Sequence, residues 1–222
     1  SSRLPYYVDS YGIHSLHGRA PAVATGIKLA NPDLDVWIIT GDGDALSIGG
    51  NHLIHALRRN LNVPILLFNN EIYGLTKGQF SATADKGSKS KRGVVNSDEP
   101  LDMIGMALLL GATYVARSFS GDKKQLVPLI KGAMEHKGAA FIDVISPCVA
   151  FNNHPGSTKS YDYVREHNEA LNRIDFIEGR EEITTSYDPG TLTTVQQHDG
   201  SILRLRKLGE DYDASNKVGA MT

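Results

Sequence analysis

The sequence has a single cysteine, no long apolar run and almost no net charge. Cys148 alone cannot form an internal disulfide, which is typical of proteins from a reducing compartment. No uninterrupted apolar stretch approaches the roughly 20 residues that span a bilayer, and the sequence shows no basic-then-apolar signal segment. A net charge of −2 gives nucleic acid or an anionic membrane no general attraction. We therefore expect a soluble, cytoplasmic protein that binds neither.

Alternating strand and helix patterns fill most of residues 15–146. Residues 35–40 and 63–68 are apolar and rich in β-branched or bulky side chains, as in buried parallel strands, and residues 46–60 between them have helical spacing. Such a closely connected strand, helix and strand form a right-handed parallel unit. The same patterns predict helices at residues 22–29, 101–110 and 122–137, and strands at 113–116 and 140–145. We predict an α/β fold with a mostly parallel sheet and helices on both faces.

Two segments interrupt this alternation. Residues 76–99 form a polar loop with little periodicity, and residues 148–222 are loop-rich, with a turn at 188–190 and a strand at 201–207. We predict an α/β domain over residues 1–147 and a C-terminal extension over 148–222 that packs on it. Because the chain begins without Met in what resembles a structured region, we expect the N-terminal part of the domain to precede Ser1 in the intact protein.

A glycine-flanked aspartate follows one predicted strand, and a pair of asparagines follows the next. If the two strands are parallel in one sheet, as nearest or as next-nearest neighbours, Asp42 and Asn70 emerge at the same carboxyl edge, where open α/β sheets bind ligands. Carboxylate and amide oxygens suit Mg²⁺, which completes its octahedron with phosphate oxygens and water. Gly41 and Gly43 lack Cβ atoms and let backbone N–H groups approach a diphosphate. The pattern predicts a site for Mg²⁺ and a diphosphate.

Spacing excludes two other ligand motifs. A calcium loop of the EF-hand type that began at Asp42 would need glutamate at its twelfth position, which is Leu53. The chain also contains no G-x-x-x-x-G-K-[ST] phosphate loop. A plain turn at residues 41–44 stays open as an alternative, although the asparagine pair after the next strand disfavours it.

The motif GDG, followed after a helix and a strand by NN, resembles the thiamine diphosphate motif of thiamine-dependent enzymes. The stretches HGRAPAVATGIKLANP, GDGDALSIGGNHLIHALRRN, NNEIYGLTKGQFSAT and SPCVAFN are similar to the β subunit of 2-oxoacid:ferredoxin oxidoreductases, most closely the 2-oxoglutarate type. The resemblance covers residues 17–152, and QQHDGS near the C-terminus extends it. It implies a thiamine diphosphate-binding fold with thiamine diphosphate, Mg²⁺ and a [4Fe–4S] cluster as cofactors.

The resemblance also implies which residues contact the cofactors. The Mg²⁺ ligands are Asp42, Asn70 and the carbonyl of Ile72. Further contacts with thiamine diphosphate come from the backbone at Gly43, Asp44, Gly74 and Leu75, with Ser1 as a weaker candidate. His17 and Arg19 lie at the edge of the pocket. His17 is a candidate catalytic residue, and a structural hydrogen bond is an equally supported role for it.

Lys77 is the second candidate catalytic residue. It lies close to the expected cofactor, where a cation can pair with a substrate carboxylate or a phosphate of coenzyme A. The same polar loop carries four more cations, which are Lys86, Lys89, Lys91 and Arg92. For these, a solvated loop is the simpler interpretation, and attraction of an acidic ferredoxin is the alternative.

Cys148 matches the family position of the fourth thiolate of the [4Fe–4S] cluster. By the resemblance, the other three thiolates come from an upstream C-x-x-C and from the cysteine before Ser1. One cysteine cannot build a four-thiolate cluster by itself, and a single cysteine is more often a small buried hydrophobe. Val149 departs from the proline that is frequent in the family at this point.

The resemblance implies oxidative decarboxylation of a 2-oxoacid, with 2-oxoglutarate expected, to acyl-coenzyme A and CO₂. Electrons then pass through the cluster to ferredoxin. It also implies an α subunit, because no segment resembles the domain whose glutamate activates the aminopyrimidine. A pyruvate-type or broad-specificity enzyme stays open, as do a non-oxidative thiamine decarboxylase or carboligase and a non-catalytic subunit that holds a phosphorylated ligand through Mg²⁺.

Overall fold

The computed structural model describes residues 3–167, 183–197, 200–207 and 209. The chain divides into two compact units, Ser1–Phe176 and Ile177–Thr222. This division lies further along the chain than the boundary predicted after residue 147, so residues 148–167 belong with the α/β unit. The packing of the extension on that unit stays a prediction.

The first unit alternates helices and strands along the chain. Its helices in the described residues are α1 (Ala20–Ala30), α2 (Gly50–Arg58), α3 (Met103–Leu109), α4 (Lys123–Glu135) and α5 (Tyr161–His167). Its strands there are β1 (Ile38–Gly41), β2 (Pro64–Asn69), β3 (Ile72–Tyr73), β4 (Gln79–Phe80), β5 (Tyr114–Phe119) and β6 (Ala140–Ile145). A 3₁₀ turn covers Leu4–Tyr6, and a π-helical turn covers Gly43–Ile48.

Four of the strands form a parallel sheet in the order β1, β2, β6 and β5, and β3 pairs with β4 as a small antiparallel hairpin. Successive residues of a strand point to opposite faces, so a strand covered on both sides is apolar throughout. One face packs against α1, α2 and α3, with Phe141 and Leu53 among its buried residues. The other face packs against α4 through Ile142 and Leu129. The predicted α/β fold with helices on both faces of a parallel sheet is confirmed.

Strand β6 begins and ends at the predicted residues, whereas β5 and α2 differ from the prediction. Strand β5 continues to Phe119 because Arg117 is held across the sheet by Asp143, with Nε donating to Oδ2 over 2.8 Å. The helix predicted at residues 46–60 starts earlier, as the π-helical turn, in which the Gly49 N–H donates to the carbonyl of Asp44 over 2.9 Å. The regular helix α2 then begins at Gly50.

The polar segment at residues 76–99 has more regular structure than predicted. It contains β4 and an isolated antiparallel bridge between Lys89 and Val95. The buried side chain of Asn96 closes the loop, because its Nδ2 donates to the carbonyls of Ala84 at 2.9 Å and Asp85 at 3.1 Å. The segment is therefore mainly loop, as its low periodicity indicates, with one short strand and one bridge within it.

The second unit contains an antiparallel hairpin of β7 (Leu192–Gln196) and β8 (Ile202–Arg206). Strand β8 agrees with the strand predicted at residues 201–207, and its partner β7 was not predicted. The turn expected at residues 188–190 is present, because the Thr191 N–H donates to the carbonyl of Asp188 over 3.2 Å. Among the described residues, no helix is long and apolar enough to cross a membrane.

Candidate functional site

The candidate site lies where β1 and β2 end side by side. Gly41 pairs with Phe68 in the parallel register, so Asp42 and Asn70 both follow strand ends at the carboxyl edge of the sheet. The backbone N–H of Glu71 donates to Oδ2 of Asp42 over 2.7 Å. The structure therefore brings the two motifs together, as neighbouring parallel strands require.

The carboxylate of Asp42 is buried and surrounded by neutral donors. Besides the Glu71 amide, its Oδ2 accepts hydrogen bonds from the hydroxyls of Ser81 and Thr83, each at 2.6 Å. Burial raises the pKa of Asp42 above its usual range, and these hydrogen bonds offset only part of that effect. Three donors already share Oδ2, so Oδ1 is the oxygen that would face a cation.

Asn70 and Ile72 occupy one tight turn after β2. Oδ1 of Asn70 accepts from the N–H of Ile72 at 3.1 Å, and the carbonyl of Asn70 accepts from Nδ2 of Asn152 at 3.0 Å. One carboxylate, one amide oxygen and one backbone carbonyl form the kind of hard oxygen set that Mg²⁺ prefers. The residues present therefore fit a Mg²⁺ ion, and a buried carboxylate with neutral partners gains from a positive charge beside it.

The first turn after Asp42 has no room for a side chain. A Cβ atom on Gly43 would lie 2.7 Å from the ring of Tyr73, whose hydroxyl donates to the Gly43 carbonyl over 2.9 Å. Only glycine permits this close approach of the β3 hairpin to the turn. The backbone of Gly43 is thus placed at the sheet edge, where a contact with diphosphate was predicted.

Asp44 fixes the segment that carries His17. Its Oδ1 accepts from the N–H of Gly18 at 2.7 Å and lies 2.9 Å from Nδ1 of His17, while Oδ2 accepts from the hydroxyl of Thr40 at 2.6 Å. Gly18 has φ +75°, a conformation that favours glycine. His17 therefore has the structural hydrogen bond that was one of its two predicted roles. Its side chain is 56% exposed, which leaves Nε2 accessible for the other role.

The β3–β4 hairpin carries three of the predicted site residues, which are Gly74, Leu75 and Lys77. Leu75 is 83% exposed, and Lys77 is exposed with φ +81°. The Sγ of Cys148 lies 3.5 Å from the position that a Cβ on Gly74 would take. The predicted cluster ligand and a predicted cofactor contact are thus neighbours.

The other predicted residues are less closely tied to the site. Arg19 is exposed just before α1, and Ser1 lies outside the described residues. Lys86 forms an ion pair with Glu99, and Nζ of Lys91 lies 4.7 Å from the ring centroid of Phe151. Within the part of the chain that the structure describes, no three or more His, Cys, Asp or Glu side chains gather into a metal site, so Cys148 would need ligands from outside it.

A charged cluster under the turn at residues 70–72 was missed by the sequence reasoning. Glu71 is 2% exposed, and its carboxylate contacts Lys159, Asn152 and Thr158. Burial raises the pKa of Glu71, and the positive charge of Lys159 offsets part of that effect. The available signal was a glutamate next to the asparagine pair, but its partners come from a distant segment that was expected to be part of the C-terminal extension.

Comparison with known proteins shows which family the chain matches. Residues 1–144 match the model of the thiamine pyrophosphate enzyme family, C-terminal TPP binding domain. The 2-oxoglutarate oxidoreductase subunit KorB of Mycobacterium tuberculosis is 55% identical over 154 residues, which are 69% of this chain and 41% of that protein. The β subunit of 2-oxoacid:ferredoxin oxidoreductase 2 of Aeropyrum pernix is 46% identical over 69% of this chain and 50% of that protein.

A solved structure shows the same similarity. It is the 2-oxoglutarate:ferredoxin oxidoreductase of Magnetococcus marinus with 2-oxoglutarate, coenzyme A and succinyl-CoA bound. The match has a TM-score of 0.68 and 45% identity, and it covers 75% of this chain and 56% of that one. The chain thus spans about half the length of the relatives that it matches.

Proposed function

Because the chain belongs to the thiamine pyrophosphate enzyme family and is related to the β subunits of 2-oxoacid:ferredoxin oxidoreductases, we propose that it is the cofactor-binding β subunit of such an enzyme. The reaction converts a 2-oxoacid and coenzyme A to acyl-coenzyme A and CO₂. Two electrons leave through a [4Fe–4S] cluster to ferredoxin. The relatives from M. tuberculosis and M. marinus, both named for 2-oxoglutarate, favour that substrate over pyruvate.

The observation that carries this proposal is the 2.7 Å hydrogen bond between the Glu71 amide and Asp42 Oδ2. It joins the GDG and NN motifs into one polar edge, in which Asp42, Asn70 and the Ile72 carbonyl can hold Mg²⁺ against a diphosphate. The hydroxyls of Ser81 and Thr83 donate to Oδ2 of Asp42, so its Oδ1 would be the oxygen that holds the ion. When bound, thiamine diphosphate supplies the carbanion chemistry.

The candidate catalytic residues then act on the substrate. Asp44 orients the ring of His17 through Nδ1, so Nε2 is the nitrogen that can hydrogen-bond a substrate oxygen. Lys77 is exposed at the tip of the hairpin, and we expect it to pair with a carboxylate or a phosphate that arrives from solvent or from a partner subunit. Arg19 is a further candidate at the rim.

Cys148 favours an oxidative reaction over a non-oxidative decarboxylase or carboligase. Its thiol lies beside Gly74, so a cluster ligand at this position would adjoin the hairpin that contacts the cofactor. The remaining three thiolates must come from residues outside this chain's sequence, which has one cysteine. The same proposal includes an α subunit, a cytoplasmic location and a ferredoxin attracted by the cations of the polar loop at residues 76–99.

The test is an assay of the anaerobically isolated holoenzyme with its α subunit. We expect reduction of ferredoxin that requires both 2-oxoglutarate and coenzyme A and is slower with pyruvate. Cys148→Ser should retain thiamine diphosphate and lose ferredoxin reduction, while Asp42→Ala should lose both.

Other outcomes would contradict specific parts of the proposal. Release of an aldehyde without coenzyme A, unaffected by Cys148→Ser, would support a non-oxidative decarboxylase. Tight Mg²⁺-dependent binding of ADP without thiamine diphosphate binding would support a non-catalytic subunit. Full turnover by the isolated β subunit would refute the need for an α subunit.

A further inference from the structure

Glu71 has an unusual backbone conformation between two proposed Mg²⁺ ligands. Its φ is +68°, which is rare for a residue with a side chain, and it lies directly between Asn70 and Ile72. Such a conformation costs about 1–3 kcal/mol and persists only where the surroundings hold it. The Glu71 N–H also donates to Asp42 over 2.7 Å. One strained residue thus connects all three proposed ligands of the metal.

The side chain of Glu71 is held from the opposite side. Oε2 accepts from Nδ2 of Asn152 at 2.9 Å, and Oε1 lies 3.1 Å from Nζ of Lys159 and 3.2 Å from the hydroxyl of Thr158. The same Asn152 amide donates to the Asn70 carbonyl over 3.0 Å. Both carboxylate oxygens of Glu71 therefore have donors, so it is not placed as a free acid or base.

The segment that supplies these donors, residues 152–159, is distant in sequence from the sheet edge that it contacts. Asn152 and Lys159 are its first and last residues. The Lys159 side chain is only 19% exposed, so its charge is partly desolvated beside Glu71. The single hydroxyl proton of Thr158 has its shorter contact with Oδ2 of Asp85, at 2.6 Å, which connects the segment to the polar loop at residues 76–99. Desolvating a lysine costs free energy, and a turn with no ligand to bind would not need an ion pair of this kind.

We propose that Glu71 is a positioning residue, clamped by Asn152 and Lys159, that holds Asn70 and the Ile72 carbonyl in the conformation that binds Mg²⁺. The inference rests on the proposed function, because the metal that it serves is the one that holds thiamine diphosphate. Partners that orient metal ligands typically change metal affinity by about 10–100-fold when they are lost. The clamp is therefore a determinant of Mg²⁺ affinity rather than of the chemical step.

The experiment uses the complex of this chain with its α subunit after Mg²⁺ and thiamine diphosphate have been removed, and it measures the Mg²⁺ concentration that gives half-maximal binding of added thiamine diphosphate. We expect Lys159→Met and Asn152→Ala each to raise it about 10–100-fold. The rate at saturating Mg²⁺ and cofactor should stay within about twofold. Lys159→Arg, which keeps the charge, should restore most of the affinity. Lys28→Met is the matched control, because that lysine hydrogen-bonds to the Pro32 and Leu34 carbonyls, each at 2.7 Å, outside the site.

The outcomes separate this inference from the proposed function. If the cofactor-depleted wild-type complex shows no Mg²⁺-dependent binding of thiamine diphosphate, the proposed function fails, and the clamp fails with it. If the wild type binds but Asn152→Ala and Lys159→Met need no more Mg²⁺, only the clamp is refuted. A purely structural role would lower the unfolding temperature and leave the Mg²⁺ midpoint unchanged. Should Lys159→Met fail to fold, Asn152→Ala, which removes no charge, decides the question.

Discussion

The parallel sheet has an amino edge, where its strands begin, and a carboxyl edge, where they end. At each edge a residue with positive φ is held by hydrogen bonds, but the two networks differ in charge and burial. At the amino edge, Oδ1 of Asn60, whose φ is +49°, accepts from the Thr113 hydroxyl at 2.9 Å and the Ala139 N–H at 2.8 Å. The Asn60 amide, the Thr113 hydroxyl and the Ala139 N–H carry no charge, Thr113 is exposed, and its hydroxyl also lies 2.7 Å from Nε2 of His136. At the carboxyl edge, the residue with positive φ is Glu71. The hydrogen-bond network there includes two buried carboxylates, those of Asp42 and Glu71.

This difference separates closure of the fold from binding. Neutral hydrogen bonds at an exposed edge hold the strands together, and losing one costs little free energy because water can bond to the freed groups. Buried carboxylates cost free energy unless a cation or several donors compensate them. A fold that keeps two of them at one edge is organised there for a ligand, and costly groups of this kind concentrate at functional sites. Under the proposed function, the amino edge maintains the sheet and the carboxyl edge binds the cofactor.

The strongest test of the comparison is Asp42→Asn. The change removes the charge that would hold Mg²⁺ but leaves a side chain of the same shape. We expect Mg²⁺-dependent binding of thiamine diphosphate to weaken by more than about 100-fold, beyond the effect typical of outer partners of a metal ligand. Because burial destabilises the charged form of Asp42, the midpoint of thermal unfolding without cofactor should not fall. Calorimetry measures both, and retained binding would show that the carboxyl edge does not need this charge.

A matched pair of substitutions compares the two edges directly. Thr83→Val removes a 2.6 Å hydrogen bond to the buried Asp42 carboxylate and should lower the free energy of unfolding by about 1.5–3 kcal/mol. Thr113→Val removes the hydroxyl from the exposed amino-edge network and should have a clearly smaller effect. Urea unfolding of the cofactor-free protein gives both values. Equal losses would mean that the edges differ less than their burial indicates.

Much of the sheet and part of the site could be predicted from sequence, for reasons that are local. Strand β6 is apolar on both faces, so its ends were visible in the pattern. Asp42 and Asn70 could be placed at one edge because parallel neighbouring strands leave no other arrangement. The last residues of β5 were missed since Arg117 is polar, and only its pairing with the buried Asp143 explains its place in a strand.

The rest of the site depends on contacts between distant segments. The hydroxyls of Ser81 and Thr83 carried no periodic signal in a polar loop, yet both reach Asp42. The pairing of Glu71 with Lys159 joins a strand end to a segment that was predicted to lie in another domain. No spacing rule connects such residues, because their meeting is a consequence of the completed fold.

Lys77→Ala tests whether the exposed part of the carboxyl edge also serves the ligand. The side chain is exposed at the hairpin tip, so its loss should leave the free energy of unfolding nearly unchanged. If Lys77 pairs with a carboxylate or a phosphate, KM for the oxoacid or for coenzyme A should rise about tenfold. Steady-state kinetics of the holoenzyme measure this, with Lys124→Ala at the start of α4 as a control. Unchanged values for both substrates would remove Lys77 from the site.

The smallest expected effect lies near the amino edge, at Tyr114. Its hydroxyl donates to the Leu129 carbonyl over 2.9 Å, and burial raises its pKa above the ordinary value of 10.0. Tyr114→Phe should therefore cost about 1 kcal/mol at neutral pH. A raised pKa means that the unfolded chain loses the proton first, so the advantage of the native tyrosine is complete below about pH 10 and declines as pH rises through the native pKa. Denaturant unfolding from pH 8 to 11 should show the free energies of unfolding of the wild type and of Tyr114→Phe converging at high pH. A difference that stays constant over this range would contradict the raised pKa of Tyr114.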